Sequence, residues 1–152
     1  MIDLMKSLFG TAADETTSTE SSSHDVAVAL CVLLLEAAYA DGDCSADERQ
    51  QMEKILAETY QIDHARIKTL MAEAAAQRRE SIDLFSFTRA LNQQLAKEEK
   101  LTIMQAVWRV ILTDGRLEAH EDQLAHKLGN LLRLTHKELI DTKIKARQDT
   151  GA

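Results

Sequence analysis

Proline is absent from the 152 residues, where average usage would place roughly eight. Only five glycines occur and aromatic residues make up 4%, so the chain lacks the turn formers and ring-rich strands of a β protein. With 45% hydrophobic residues, what remains is the composition of long uninterrupted helices. Basic residues are also short, 18 against 25 acidic for a net charge of −7, which disfavours nucleic acid and anionic lipid as partners. The two cysteines, Cys31 and Cys44, form no C-x-x-C and have no Cys/His pair spaced for zinc. Cys31 reads as a small core residue in a reducing compartment. The longest apolar run, Val26 to Leu35, extends at most to Ala40 and falls short of a membrane span. Met1 to Phe9 lacks the basic start and apolar length of a signal peptide, and a cytoplasmic location is expected.

Several segments differ in character. Residues 1–9 could form two turns of apolar helix, read either as a docked or frayed terminus or as a weak membrane or partner anchor. Residues 10–23 contain no large apolar side chain and read as a flexible tether. Residues 24–147 form the domain, and 148–152 a disordered end. Inside the domain the periodicity predicts a bundle of about seven helices. Asp25 is placed to cap a first helix through Tyr39 that is apolar almost all round, the mark of a central helix. Ser45-Ala-Asp-Glu48 opens a second as a capping box, Asp63 caps a third, and a fourth follows Ser81. A fifth, Lys97 to Leu112, is nearly as apolar as the first. Glu118 to Leu132 forms a sixth, in which Gly129 suggests a close crossing, and Thr135-His-Lys-Glu138 opens a seventh that buries Leu139, Ile140 and Ile144.

Two stretches match at an offset of 73 residues: Tyr39-Ala-Asp41-Gly42-Asp43-Cys-Ser-Ala46-Asp-Glu48 and Leu112-Thr-Asp114-Gly115-Arg-Leu-Glu118-Ala119-His-Glu121. Each follows an apolar helix and precedes an amphipathic one, so a duplicated helix-turn-helix with approximate two-fold symmetry is expected. Glu36 and Arg109 then hold equivalent positions and could form a buried ion pair across the axis.

A buried helix ending in Ala-Asp-Gly, then a cap and Glu, given twice around a helical domain, resembles the TerB-like family, named after tellurite-resistance operons. The resemblance covers roughly residues 24–147. It implies a compact bundle of about seven helices with acidic motif residues near one side, and divalent-cation binding, calcium included, as in some members. By position those residues are Asp41, Glu48, Asp114 and Glu121. The second copy departs from the pattern with Thr113 before Asp114, Arg116 after Gly115, and Glu118 in place of the capping Ser45.

Two readings of the turns stand side by side. Gly42 and Gly115 can adopt the left-handed conformation that stops a helix, while the Asp and Glu side chains accept hydrogen bonds from free amides. Alternatively, Asp41, Asp43, Glu48, Asp114, Glu118 and Glu121 supply hard oxygens for Ca or Mg. Asp41 to Asp47 imitates the start of an EF-hand loop, but Ala46 replaces its glycine and Met52 its bidentate glutamate. His120 and His126 lie six apart, about 240° round a helix, and cannot share a metal from one face. The expected function is therefore a non-catalytic binding or sensing module for a divalent cation or a protein partner in a stress-response or envelope-related assembly. The alternative is a metal-dependent hydrolase using the acidic cluster.

Overall fold

The computed structural model describes residues 17–40, 44–80, 83–114 and 119–150. Among these there are seven α-helices: α1 (Thr17–Ala38), α2 (Ala46–Glu58), α3 (His64–Glu80), α4 (Phe85–Gln94), α5 (Lys97–Ile111), α6 (Ala119–Leu131) and α7 (His136–Thr150). A 3-10 turn, Leu112–Asp114, continues α5. Residues 1–16, including the apolar N-terminal segment, lie outside the described residues.

Most helix starts follow the expected chemistry. Ser45 Oγ accepts from Glu48 N at 3.1 Å while Glu48 Oε1 accepts from Ser45 N at 3.0 Å, and Thr135 and Glu138 repeat the exchange at 3.1 and 2.8 Å. Asp63 Oδ1 accepts from Arg66 N at 2.9 Å. At α4 the side-chain acceptor is Asp83, bonded to Phe85 N at 2.9 Å. At α5 Glu99 Oε1 reaches back to Ala96 N at 2.7 Å.

Two helices form the interior. Every residue of α1 from Val26 to Ala38 is buried except Glu36, because α1 is packed by α3, α4 and α5 and touched by α2 and α6. In α5, Ile103, Met104, Val107, Trp108 and Ile111 are likewise buried, against α7, α1, α2 and α6. Each such side chain contributes about 1.5–3 kcal/mol relative to exposure. Gly129 lies where a Cβ would stand 3.1 Å from Leu139 Cδ1, so the close crossing expected there is the one between α6 and α7.

Four expectations are corrected. The first helix begins at Thr17, so Asp25 lies within it rather than capping it, and 17–23 are helical rather than part of a tether. Once the buried segment nucleates a helix, extending it through Ser, Thr and Glu needs only propagation. At the far end, α7 continues to Thr150 instead of stopping at Arg147. On α7, Ile144 is 49% exposed and Ile140 half-buried, while Leu139, Thr142 and Ala146 are buried. Helix α7 thus docks through the 139/142/146 stripe, and its extra isoleucines lie at the margin of that contact.

The duplication is visible in backbone detail. Tyr39 N bonds Leu35 O as Leu112 N bonds Trp108 O, and Thr59 N bonds Ile55 O as Leu132 N bonds Leu128 O, all at the offset of 73. The turns after α2 and α6 then differ by one residue. Ile62 N closes onto Leu56 O, six residues back, and Leu134 N onto Gly129 O, five back. From there the offset is 72: Ile67, Leu70 and Ala74 are buried in α3 as Leu139, Thr142 and Ala146 are in α7. Helix contacts exchange in the same way, α1 with α3 as α5 with α7, and α2 with α5 as α6 with α1. Such an exchange is what a two-fold relation between the copies requires.

Candidate functional site

The described part of the acidic motif sits at two equivalent helix starts. Glu48, 6% exposed, is the third residue of α2, and Glu121, 2% exposed, is the third residue of α6. Both face the positive ends of their helices, which favours a carboxylate. One oxygen of Glu48 is taken by its capping bond, and Glu121 also has an interaction partner. The 3-10 turn that ends at Asp114 packs against α2 and α7. It is fastened to α5 by Thr113 Oγ1, which donates to Arg109 O at 2.9 Å. Asp41, Gly42, Asp43, Gly115 and Glu118 lie outside the described residues, as does the Asp114 side chain.

At the start of α2 this arrangement supplies the capping exchange between Ser45 and Glu48. Among the described residues no group of three or more His, Cys, Asp or Glu is arranged to hold a metal ion. The donor chemistry, carboxylates without thiolate or imidazole, fits Ca or Mg by its hardness. Glu48 would bring to such an ion only its second oxygen, since the first is committed to Ser45 N.

The expected pair of Glu36 with Arg109 is not formed. Glu36 Oε1 accepts instead from Arg78 Nε at 2.8 Å, and the Arg78 guanidinium lies 4.9 Å above the centre of the Tyr39 ring. Arg109 Nε is buried with no hydrogen-bond partner among the described residues. Equivalent positions meet across a two-fold only close to its axis. Here α3, folding back over α1, reaches Glu36 first. The position equivalent to Arg78 in the second copy is Thr150, so Arg109 gains no matching partner.

Several features escaped sequence reasoning. The end of α1 together with α2 and α3 bounds a groove of about 560 Å³ whose lining includes Tyr39, Arg49, Lys68 and Arg79. Its signal was present as the Arg78-Arg79 pair closing α3, but only packing brings Arg49 of another helix beside it. His126, 3.6 Å from Asp122, stacks on His136 with ring centres 5.9 Å apart. Cys31 is fully buried, and burial pushes its thiol up to about 12, so it is an inert core group.

No described helix is long and apolar enough to cross a membrane. No curated protein and no solved structure matches the chain. Residues 27–144 match the family described as Tellurite resistance protein TerB. The match begins within α1, ends within α7 and takes in both copies of the duplicated unit, and the chain belongs to the TerB family.

Proposed function

We propose that this TerB-family chain is a non-catalytic binding or sensing module that acts through its two Asp-Gly turns, taking up a divalent cation or docking a protein partner in a stress-response or envelope-related assembly. The observation that carries the reading is the contact of the second turn with α2, the helix that the first turn opens. It brings the backbone of Leu112–Asp114, where the second turn begins, against the helix that carries Glu48. Clustered carboxylates repel one another until a cation or a basic surface neutralises them, and that repulsion is a source of affinity for either ligand. Calcium or magnesium is the expected ion, and the module operates in the cytoplasm.

Calorimetric titration of the full chain with calcium, magnesium and zinc tests this, together with Asp41→Asn and Asp114→Asn. Asn caps a helix about as well as Asp, so without metal both variants should keep or raise the unfolding midpoint. Calcium should raise the wild-type midpoint and raise the variants' less, following RT ln(1 + [L]/Kd). A wild-type midpoint unmoved by calcium and magnesium at millimolar concentration would leave the turns with capping alone on the metal side of the proposal.

A further inference from the structure

The groove at the end of α1 carries chemistry opposite to that of the chain as a whole. Four cations line it, Arg49, Lys68, Arg78 and Arg79, against one carboxylate, Glu53, in a protein of net charge −7. Arg78 is neutralised by Glu36 and held against Tyr39. Arg49, Lys68 and Arg79 form no ion pair among the described residues, and all three are exposed. The floor beneath them is apolar, with Leu35, Met71 and Ala75. Surface cations are ordinarily dispersed among acids. Here three unpaired ones surround an apolar trough along α3 that is about 16 Å long from Lys68 to Arg79.

The second copy provides an internal comparison. By the offsets established above, Leu35 corresponds to Trp108, Met71 to Lys143 and Ala75 to Arg147. The larger ring occupies the equivalent place, and Lys143 lies over it at 5.3 Å. The rim positions lose their cations, since Arg49 corresponds to Asp122, Lys68 to Ile140 and Arg79 to Gly151, while the second copy's own cations, Lys143 and Arg147, stand at the floor positions. One copy of the unit therefore carries a large ring covered by a lysine where the other carries Leu35 beneath an open, cationic trough.

We propose that this groove binds a small amphiphilic anion: a carboxylate or phosphate carried on an apolar body such as a medium-length acyl chain. The apolar part lies on Leu35, Met71 and Ala75 and along the Tyr39 ring. The anionic group is met by Arg49, Lys68 or Arg79, whose charge-assisted bonds suit carboxylate and phosphate alike. The volume falls in the range of small-ligand sites. The site uses none of the acidic residues of the Asp-Gly turns, so it stands or falls separately from the function proposed for them.

Titration calorimetry on the full chain tests the proposal with dodecanoate and dodecyl phosphate below their micellar concentrations. Dodecyltrimethylammonium, inorganic phosphate and phosphatidylglycerol vesicles serve as comparisons. Both anionic amphiphiles should bind one per chain, with inorganic phosphate and the cationic analogue weaker by at least about tenfold. Lys68→Gln combined with Arg79→Gln should weaken binding about tenfold or more and reduce its salt dependence. Ala72→Trp, at an exposed position lining the trough, should block it. Ile144→Trp, at the equivalent exposed position of the second copy, should not. Circular dichroism of these surface variants confirms that they fold. The proposal is overturned if neither anionic amphiphile saturates, if the cationic analogue or bare phosphate binds as well, or if the two Trp variants behave alike. Binding to vesicles without binding to monomers overturns it in favour of a membrane surface.

Discussion

Gln61 and Arg133 adopt φ of 56° and 63° and are the same residue of the two copies, each ending the turn that follows the middle helix of its unit. They are the only described non-glycine residues with positive φ. An L residue there costs about 1–2 kcal/mol. Both copies bear that cost to bury the next residue, Ile62 in one and Leu134 in the other. The conformation has survived the one-residue difference in turn length, which marks it as the element that directs the chain from α2 into α3 and from α6 into α7.

Substitution at these positions should follow the backbone rather than the side chain. Gln61→Gly and Arg133→Gly should leave the unfolding free energy unchanged or raise it, while Gln61→Val and Arg133→Val should lower it by about 1–2 kcal/mol. Urea denaturation of the four variants checks this. A valine variant as stable as its glycine counterpart would contradict it.

At the crossing of α6 and α7, Gly129→Ala trades a gain in helix propensity of about 1 kcal/mol against a Cβ 3.1 Å from Leu139 Cδ1 and 3.3 Å from Cδ2. Leu139 is 4% exposed and has little room to retreat. The alanine variant is expected to gain less than the propensity term alone, and to recover that term in a Leu139→Ala background. A double-mutant cycle in thermal unfolding should show coupling of at least about 0.5 kcal/mol.

The Glu36–Arg78 pair is about one quarter exposed on each side, so its worth is modest despite good geometry. A cycle with Glu36→Gln and Arg78→Gln should give a coupling of about 0.5–1 kcal/mol. The same cycle with Arg109 in place of Arg78 should give none beyond error. Coupling to Arg109 equal to that with Arg78 would reinstate the pairing expected from sequence.

Glu138 supplies the pH dependence. The Thr135 backbone amide, and then Lys97 at 3.0 Å, hold its carboxyl below the usual carboxylate range. With the folded value depressed, the unfolded chain binds more protons, so stability from this group is complete above the ordinary carboxylate range and is lost as pH falls through the lowered one. Glu138→Gln keeps an acceptor for the cap and removes the titration. Its unfolding midpoint should fall less steeply than that of the wild type between about pH 5 and pH 2, where such carboxylates titrate. Parallel acid limbs would show that Glu138 does not contribute.

The sequence by itself determined what depends on neighbours along the chain. The capping boxes at Ser45 and Thr135, the cap of Asp63, and the two apolar helices all act over three or four residues. The 73-residue repeat announced the duplication, because two copies of one unit keep one pattern of buried positions. The acidic motif was legible as residue types, and Glu48 and Glu121 both lie in the first turn of a helix as their spacing implied, whereas their burial came from packing. What only tertiary structure decided is which surface each helix turns toward another. Glu36 takes Arg78 because α3 folds over α1. Ile144 stays exposed because α7 docks by Leu139, Thr142 and Ala146. The trough exists because Arg49 of α2 is brought beside Lys68 and Arg79 of α3. Helical periodicity tells which residues share a face, but the partner of that face is set by packing between segments far apart in sequence, where no local pattern records the choice.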